Sequence, residues 1–214
     1  MAAIQSLCSS VTPDLIASVR RVIHSGGLVA LPTETYYGLG VDPFAAHAVE
    51  RLAAVKGRPD GKPILVLIGH RTQLSSLVQE VSPLATVLMD VFWPGPLTIL
   101  FPALSILPPQ LTGGSGTVGV RLTSCEPLAR LLEAVGPLTG TSANRAGHPA
   151  VCTASEVQEA LGRDVDLILD GGRTPGGLPS TVVDGQHALG VIREGAIARQ
   201  TLADVLETRG ITLP

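Results

Sequence analysis

The chain has 214 residues, 45% of them hydrophobic and only 15% charged, against about 25% charged in ordinary soluble domains, so disorder is excluded and a sizeable core is expected. Its 24 glycines and 17 prolines follow no period, which excludes collagen and a simple helical bundle and implies many ordered turns. The formal net charge of −3 offers no global attraction to nucleic acid or an anionic membrane, so any anion site has to be local. Cys8, Cys125 and Cys152 lie far apart without a C-x-x-C pair. That supports neither a disulfide framework nor a structural zinc site and fits a reducing cytoplasm. The N-terminus lacks a basic and an apolar region, and the apolar stretch Leu97 to Leu107 is interrupted by Pro102 and too short to span a membrane.

Thr12 before Pro13 reads as an N-cap with proline at the first helical position, and Leu15, Ile16, Val19, Val22 and Ile23 form one face of a helix that ends at Gly26-Gly27. LVALP (28–32) and YYGLGV read as paired strands around the loop Thr33-Glu34-Thr35. A helix over 45–56 leads through the loop GRPDGK into the buried strand PILVLI (63–68). Ser82-Pro83 and Glu126-Pro127 cap helices near 83–92 and 127–135, while PLTILF, TVGVRL and the run from Leu138 read as strands. Thr153 with Glu156 is a capping box for a helix to about Leu161; VDLILD, STVVD and LGVIRE are strands, and Thr201 to Thr208 is a last helix. The sum is one α/β domain over 1–214, a three-layer twisted mixed parallel/antiparallel sheet with helices around it.

The chain has thirteen arginines and two lysines, and both lysines, Lys56 and Lys62, stand in the stretch KGRPDGK with Arg58. Such a cluster can simply complement a helix C-terminus. It also suits a polyphosphate, because a guanidinium binds oxygens bidentately while ammonium groups neutralise charge without directional demand. GSGTVG (114–119) matches G-x-G-x-x-G but runs into a strand rather than a helix, which excludes a dinucleotide fingerprint, and no P-loop motif is present. GTSAN (140–144) offers a hydroxyl, a carboxamide and free backbone N–H groups after a strand end; an Asx or Ser turn explains the same residues. PTETYYGLG places two hydroxyls and a carboxylate between buried strands, and Arg121, at the end of an apolar strand, calls for a carboxylate from the protein or a ligand. The histidines show no metal spacing.

The segments LPTETYYGLG, KGRPDGKPILVLI, WPGPLTILF, TVGVRL, TGTSANRAGHPA, VDLILDGG, PSTVVD and VIREGAI, in this order, resemble the YrdC family of threonylcarbamoyl-AMP synthases over about residues 14–197. Lys56 and Arg58 stand as its K-x-R, Ser142 and Asn144 as its S-x-N. The resemblance implies a concave, locally positive cavity in which L-threonine, bicarbonate and ATP give threonylcarbamoyl-adenylate and pyrophosphate. The adenylate would pass to a tRNA-threonylcarbamoyl transferase complex that modifies adenosine beside anticodons. It further implies that Thr35, Arg121 and Ser180 hold threonine, that Arg58, Lys62, Thr117, Ser142, Asn144 and Arg193 surround ATP, and that Lys56 and Arg58 are catalytic, with Mg²⁺ held mainly by ATP. The chain departs from the pattern at Leu67, where many relatives carry a threonine-contacting histidine, and its length matches the short bacterial-type branch. The rival from another class is an RNA-binding module of the same fold, or weak RNA binding beside the enzyme activity; six aromatics and the net charge speak against it. A hydrolase built on Ser142 would need His148 as its base.

Overall fold

The structure is a computed structural model that describes residues 1–57, 63–186 and 189–209. In chain order its elements are β1 (Ala3–Ser6), α1 (Pro13–His24), β2 (Val29–Leu31), β3 (Gly38–Gly40), α2 (Ala46–Lys56), β4 (Val66–Ile68) and a 3-10 turn at Arg71–Ser76. Then come α3 (Pro83–Phe92), β5 (Leu97–Pro102), α4 (Pro109–Thr112), β6 (Thr117–Leu122) and α5 (Glu126–Val135). The last are β7 (Leu138–Thr139), β8 (Thr141–Ser142), α6 (Ala154–Leu161), β9 (Leu167–Asp170), β10 (Thr181–Asp184), β11 (Gly190–Arg193) and α7 (Arg199–Thr208).

Local chemistry explains most boundaries. Thr12 Oγ1 accepts from Leu15 N at 3.3 Å and starts α1. Ser82 caps α3 in the same way, and Thr153 with Glu156 closes the capping box of α6. α2 stops at Gly57, whose φ of 59° is left-handed. At α5 the cap falls one residue earlier than expected: Cys125 occupies it without a side-chain bond, and Glu126 is already helical. β1, the 3-10 turn and α4 have too few periodic residues to be read from the sequence.

The α/β class with mixed sheets holds, but the strands divide into two sheets, ordered β1-β9-β2-β3-β8 and β11-β10-β5-β6-β4-β7. The division is made within one tripeptide step. The expected single strand from Leu138 breaks at Gly140, so that β7 pairs β4 in the six-stranded sheet while β8 pairs β3 in the five-stranded one. A Cβ on Gly140 would lie 2.5 Å from Leu67 Cγ and 2.9 Å from Leu65 Cδ1, so only glycine lets the chain pass between the sheets there.

Alternation along the six-stranded sheet sorts its side chains. Leu97, Ile99 and Phe101 of β5 and Val118, Val120 and Leu122 of β6 enter the main core with Leu84, Leu88 and Met89 of α3 and Leu202 and Leu206 of α7. A second cluster joins Leu15, Val19 and Ile23 of α1 to Leu128, Leu131 and Leu132 of α5, with Val29, Leu31, Leu67 and Leu138 beneath them. The intervening residues of β5 and β6 are left to face a cavity.

Candidate active site

A cavity of about 590 Å³ opens between the two sheets, within the usual size of a small-ligand pocket. One wall is the six-stranded sheet, with Thr98 and Leu100 of β5, Gly119 and Arg121 of β6, Ser180 and Val182 at β10, and Ile192 and Arg193 of β11. Thr33, Thr35 and Gly38, the C-terminus of α2 at Lys56, and the segment Gly140–Ser142 with Asn144 complete the lining. No Asp or Glu stands among the described lining residues, so the cavity's fixed charges are cationic.

At one end Arg121 is 3% exposed and its Nε stands 3.4 Å from Glu34 Oε1. The other Glu34 oxygen accepts from Thr123 Oγ1 at 2.6 Å. Burial pulls the Arg121 guanidinium below its ordinary value, and the Glu34 carboxylate pushes back. Arg121 Nη1 lies 3.5 Å from Thr35 Oγ1, a long contact, so the fork of the guanidinium is directed at the cavity with little to hold it there. Arg193 is anchored differently: its Nη2 donates to Ser180 O at 2.7 Å and approaches Ser180 Oγ at 3.3 Å. Burial lowers the Arg193 pKa first, and the like charge of Arg121 lowers it further. A buried guanidinium, Arg121, and a more exposed one, Arg193, thus bring two like charges to the same end of the cavity, an arrangement that suits an anion.

At the other end the K-x-R and S-x-N motifs meet through Lys56. Its ammonium, on a residue 6% exposed, donates to Ser142 O at 2.5 Å and Asn144 O at 2.9 Å, with Asn144 Oδ1 at 3.4 Å. Ala146 N returns a bond to Lys56 O at 2.8 Å. Lys56 thus fixes the S-x-N turn to the end of α2 while it also lines the cavity. Asn144 Nδ2 donates to His148 O, so His148 lies beside the turn through its backbone.

Of the residues singled out from the sequence, Thr35, Lys56, Arg121, Ser142, Asn144, Ser180 and Arg193 converge on this one cavity. Thr117 does not line it; its hydroxyl pairs with Ser115 Oγ at 2.9 Å where the chain enters β6. Arg58 and Lys62 lie outside the described residues. Leu67 pairs with Arg121 in register but is wholly buried in the second cluster. Sequence reasoning missed Thr98 and the crossing at Gly140. A threonine inside the apolar strand LTILFP was the available signal for the first.

None of the three free cysteines lines the cavity. Burial raises the Cys125 thiol, while Ser10 hydrogen bonds lower that of the exposed Cys8. Replacing Cys8, Cys125 and Cys152 together by serine or alanine is expected to leave turnover unchanged in a variant with a native melting profile. Loss of activity from such a variant would reveal a covalent step on sulfur.

A hydroxyl-lined cavity between two mixed sheets, whose charged groups among the described residues are cationic, defines an α/β protein with a candidate site for an anion. Residues 21–195 match the Sua5, YciO and YrdC family, described as "Telomere recombination", and the chain belongs to that family. It is 41% identical over 173 residues to a threonylcarbamoyl-AMP synthase of Thiobacillus denitrificans, covering 80% of this chain and 89% of that protein. To the threonylcarbamoyl-AMP synthase of Pyrococcus abyssi it is 40% identical over 163 residues, 76% of this chain but only 48% of the relative, which is about twice as long as the matched part. Among solved structures, P. abyssi Sua5 complexed with L-threonine superposes with a TM-score of 0.87 at 33% identity, over all of this chain and 62% of that one. E. coli YciO superposes with a TM-score of 0.83 at 28% identity, over 94% and 100%.

Proposed function

We propose that the protein is a threonylcarbamoyl-AMP synthase, which converts L-threonine, bicarbonate and ATP into threonylcarbamoyl-adenylate, pyrophosphate and water for the modification of adenosine in tRNA. The observation that carries this reading is the convergence of Arg121 and Arg193 with Ser180 and Thr35 at one end of a cavity whose other end is the Lys56-clamped S-x-N turn. The names of the relatives support it.

The threonine carboxylate fits the guanidinium fork of Arg121, and its side chain then falls among the hydroxyls of Thr35, Ser180 and Thr98. ATP fits the Ser142–Asn144 end, where the Ser142 hydroxyl can meet phosphate oxygens, and the family resemblance adds Arg58 and Lys62 as further cations. In the reaction a carbamate oxygen on the threonine nitrogen bonds to the α-phosphorus, the bond to the β-phosphate oxygen breaks, and its electron pair leaves on pyrophosphate. Two anions have to approach each other, so these residues act by positioning and charge neutralisation, and no covalent nucleophile is called on. With no carboxylate in the described lining, and no cluster of three or more metal-ligating side chains among the described residues, a divalent cation would enter as part of the ATP complex, held by phosphate and water. No helix among the described residues is long and apolar enough to cross a membrane. The synthase reading would place the enzyme in the cytoplasm, with its product passed to a tRNA-threonylcarbamoyl transferase complex.

Purified protein is expected to release pyrophosphate from ATP only when threonine and bicarbonate are both present. Release without threonine, or none with all three substrates, would reject the synthase reading. RNA binding that is steep in salt and indifferent to ATP would favour the RNA-binding alternative instead.

A further inference from the structure

The geometry points to Thr98 as a specificity-determining residue for the amino-acid substrate, acting with Ser180 as a two-hydroxyl reader of the substrate's side-chain hydroxyl. This rests on the synthase reading above and gives a role to a residue that stands in the segment WPGPLTILF but to which the family resemblance assigns none.

Thr98 stands in β5 between Leu97 and Ile99, both wholly buried in the main core, and is itself 1% exposed. Strand alternation turns it to the opposite face, where it lines the cavity. The pairing of β5 with β6 sets Leu100 opposite Gly119, so Thr98 and Arg121, each two residues further along, share that face. β10 brings Val182 opposite Thr98, with Ser180 two residues before it on the same side. A buried hydroxyl needs a partner, and that of Thr98 lies 3.0 Å from Ser180 Oγ.

The hydrogen count gives the pair its function. Arg193 Nη2 can only donate, and it points at Ser180. The two hydroxyls carry one hydrogen each, and their mutual bond uses one. Among the described residues neither has a further acceptor, so one hydrogen remains for a group in the cavity. The pair thus presents both a donor and unshared lone pairs side by side, which suits an alcohol better than a methyl group. A side chain without a hydroxyl would strand that hydrogen in a buried site, the arrangement that discriminates most strongly between near-isosteric substrates. The neighbouring apolar Leu67 supplies no competing polar group in that row.

The test uses the full chain and the variants Thr98→Val, which keeps the shape, and Thr98→Ser, which keeps the hydroxyl. Threonine binding is measured by calorimetry, and steady-state pyrophosphate release is measured with threonine and with valine as substrate. Thr98→Val is expected to weaken threonine binding and raise its KM about tenfold or more, to leave the KM for ATP within about twofold, and to narrow the preference for threonine over valine; Thr98→Ser should recover most of the loss. Unchanged threonine affinity in Thr98→Val, an equal loss for threonine and valine, or a parallel loss for ATP would each overturn the assignment while leaving the synthase reading intact. Wild-type protein that binds no threonine at all would overturn both.

Discussion

Lys56→Met is expected to reduce kcat/KM for adenylate formation by about a hundredfold or more and to lower the melting temperature as well. Methionine keeps the length and apolar stem of the side chain but removes the ammonium, leaving the carbonyls of Ser142 and Asn144, which it reaches at 2.5 and 2.9 Å, without their charged donor. A hydrogen bond to a charged group contributes about 1.5 to 3 kcal/mol, and stranding a buried acceptor costs about 1 to 3 kcal/mol. Part of that loss falls on folding. The rest falls on chemistry, because Ser142 and Asn144 no longer have a fixed position against the end of α2, and misplacement on the ångström scale is enough to cost two orders of magnitude in rate. Pyrophosphate release and thermal melting measured on the same preparation separate the two. A variant that melts lower but turns over within about threefold of wild type would make Lys56 a purely structural residue, and one that melts normally but is inactive would return its charge to the phosphate.

The same residue shows how far sequence reading reaches. The address of the two lysines and the S-x-N turn are both legible in the sequence, but that one grips the other depends on residues 86 and 88 positions apart meeting in the fold. Elements with local signatures were legible nearly to the residue: α1 from Thr12-Pro13, α3 from Ser82-Pro83, α6 from its capping box, β5 and β6 from apolar runs bounded by turns. The division into two sheets was not legible, because a strand of five residues and two strands of two residues hinged at Gly140 share one sequence pattern, and the hinge is enforced by Leu65 and Leu67 from another part of the chain. Arg121 illustrates the intermediate case. Its need for a carboxylate follows from its apolar strand, whereas the choice of Glu34 as the internal partner is a tertiary fact.

That partner sets the outcome expected for Arg121→Lys, a sharp rise in the KM for threonine, about ten- to a hundredfold, with the KM for ATP nearly unchanged. Removing the side chain altogether would be a poor probe, since it would leave the Glu34 carboxylate, only 11% exposed, beside an empty space, and breaking a buried pair costs about 3 to 5 kcal/mol of stability. Lysine keeps a positive charge for Glu34 but not the planar fork, so the second hydrogen bond to a carboxylate is lost. The substitution also introduces a titration that the wild type lacks. Burial lowers the pKa of the native guanidinium from a value so high that it stays charged, but a buried ammonium can be pulled into the working range. A group whose pKa is lowered loses its charge as pH rises past the new value, so the ratio of variant to wild-type KM for threonine should grow as pH is raised from about 7 to about 9, the ratio cancelling the titration of threonine itself. Measured KM values for both substrates across that range decide the matter: a flat ratio would mean the ammonium stays charged under the pull of Glu34, and equal defects for threonine and ATP would mean that Arg121 does not belong to the amino-acid end of the cavity.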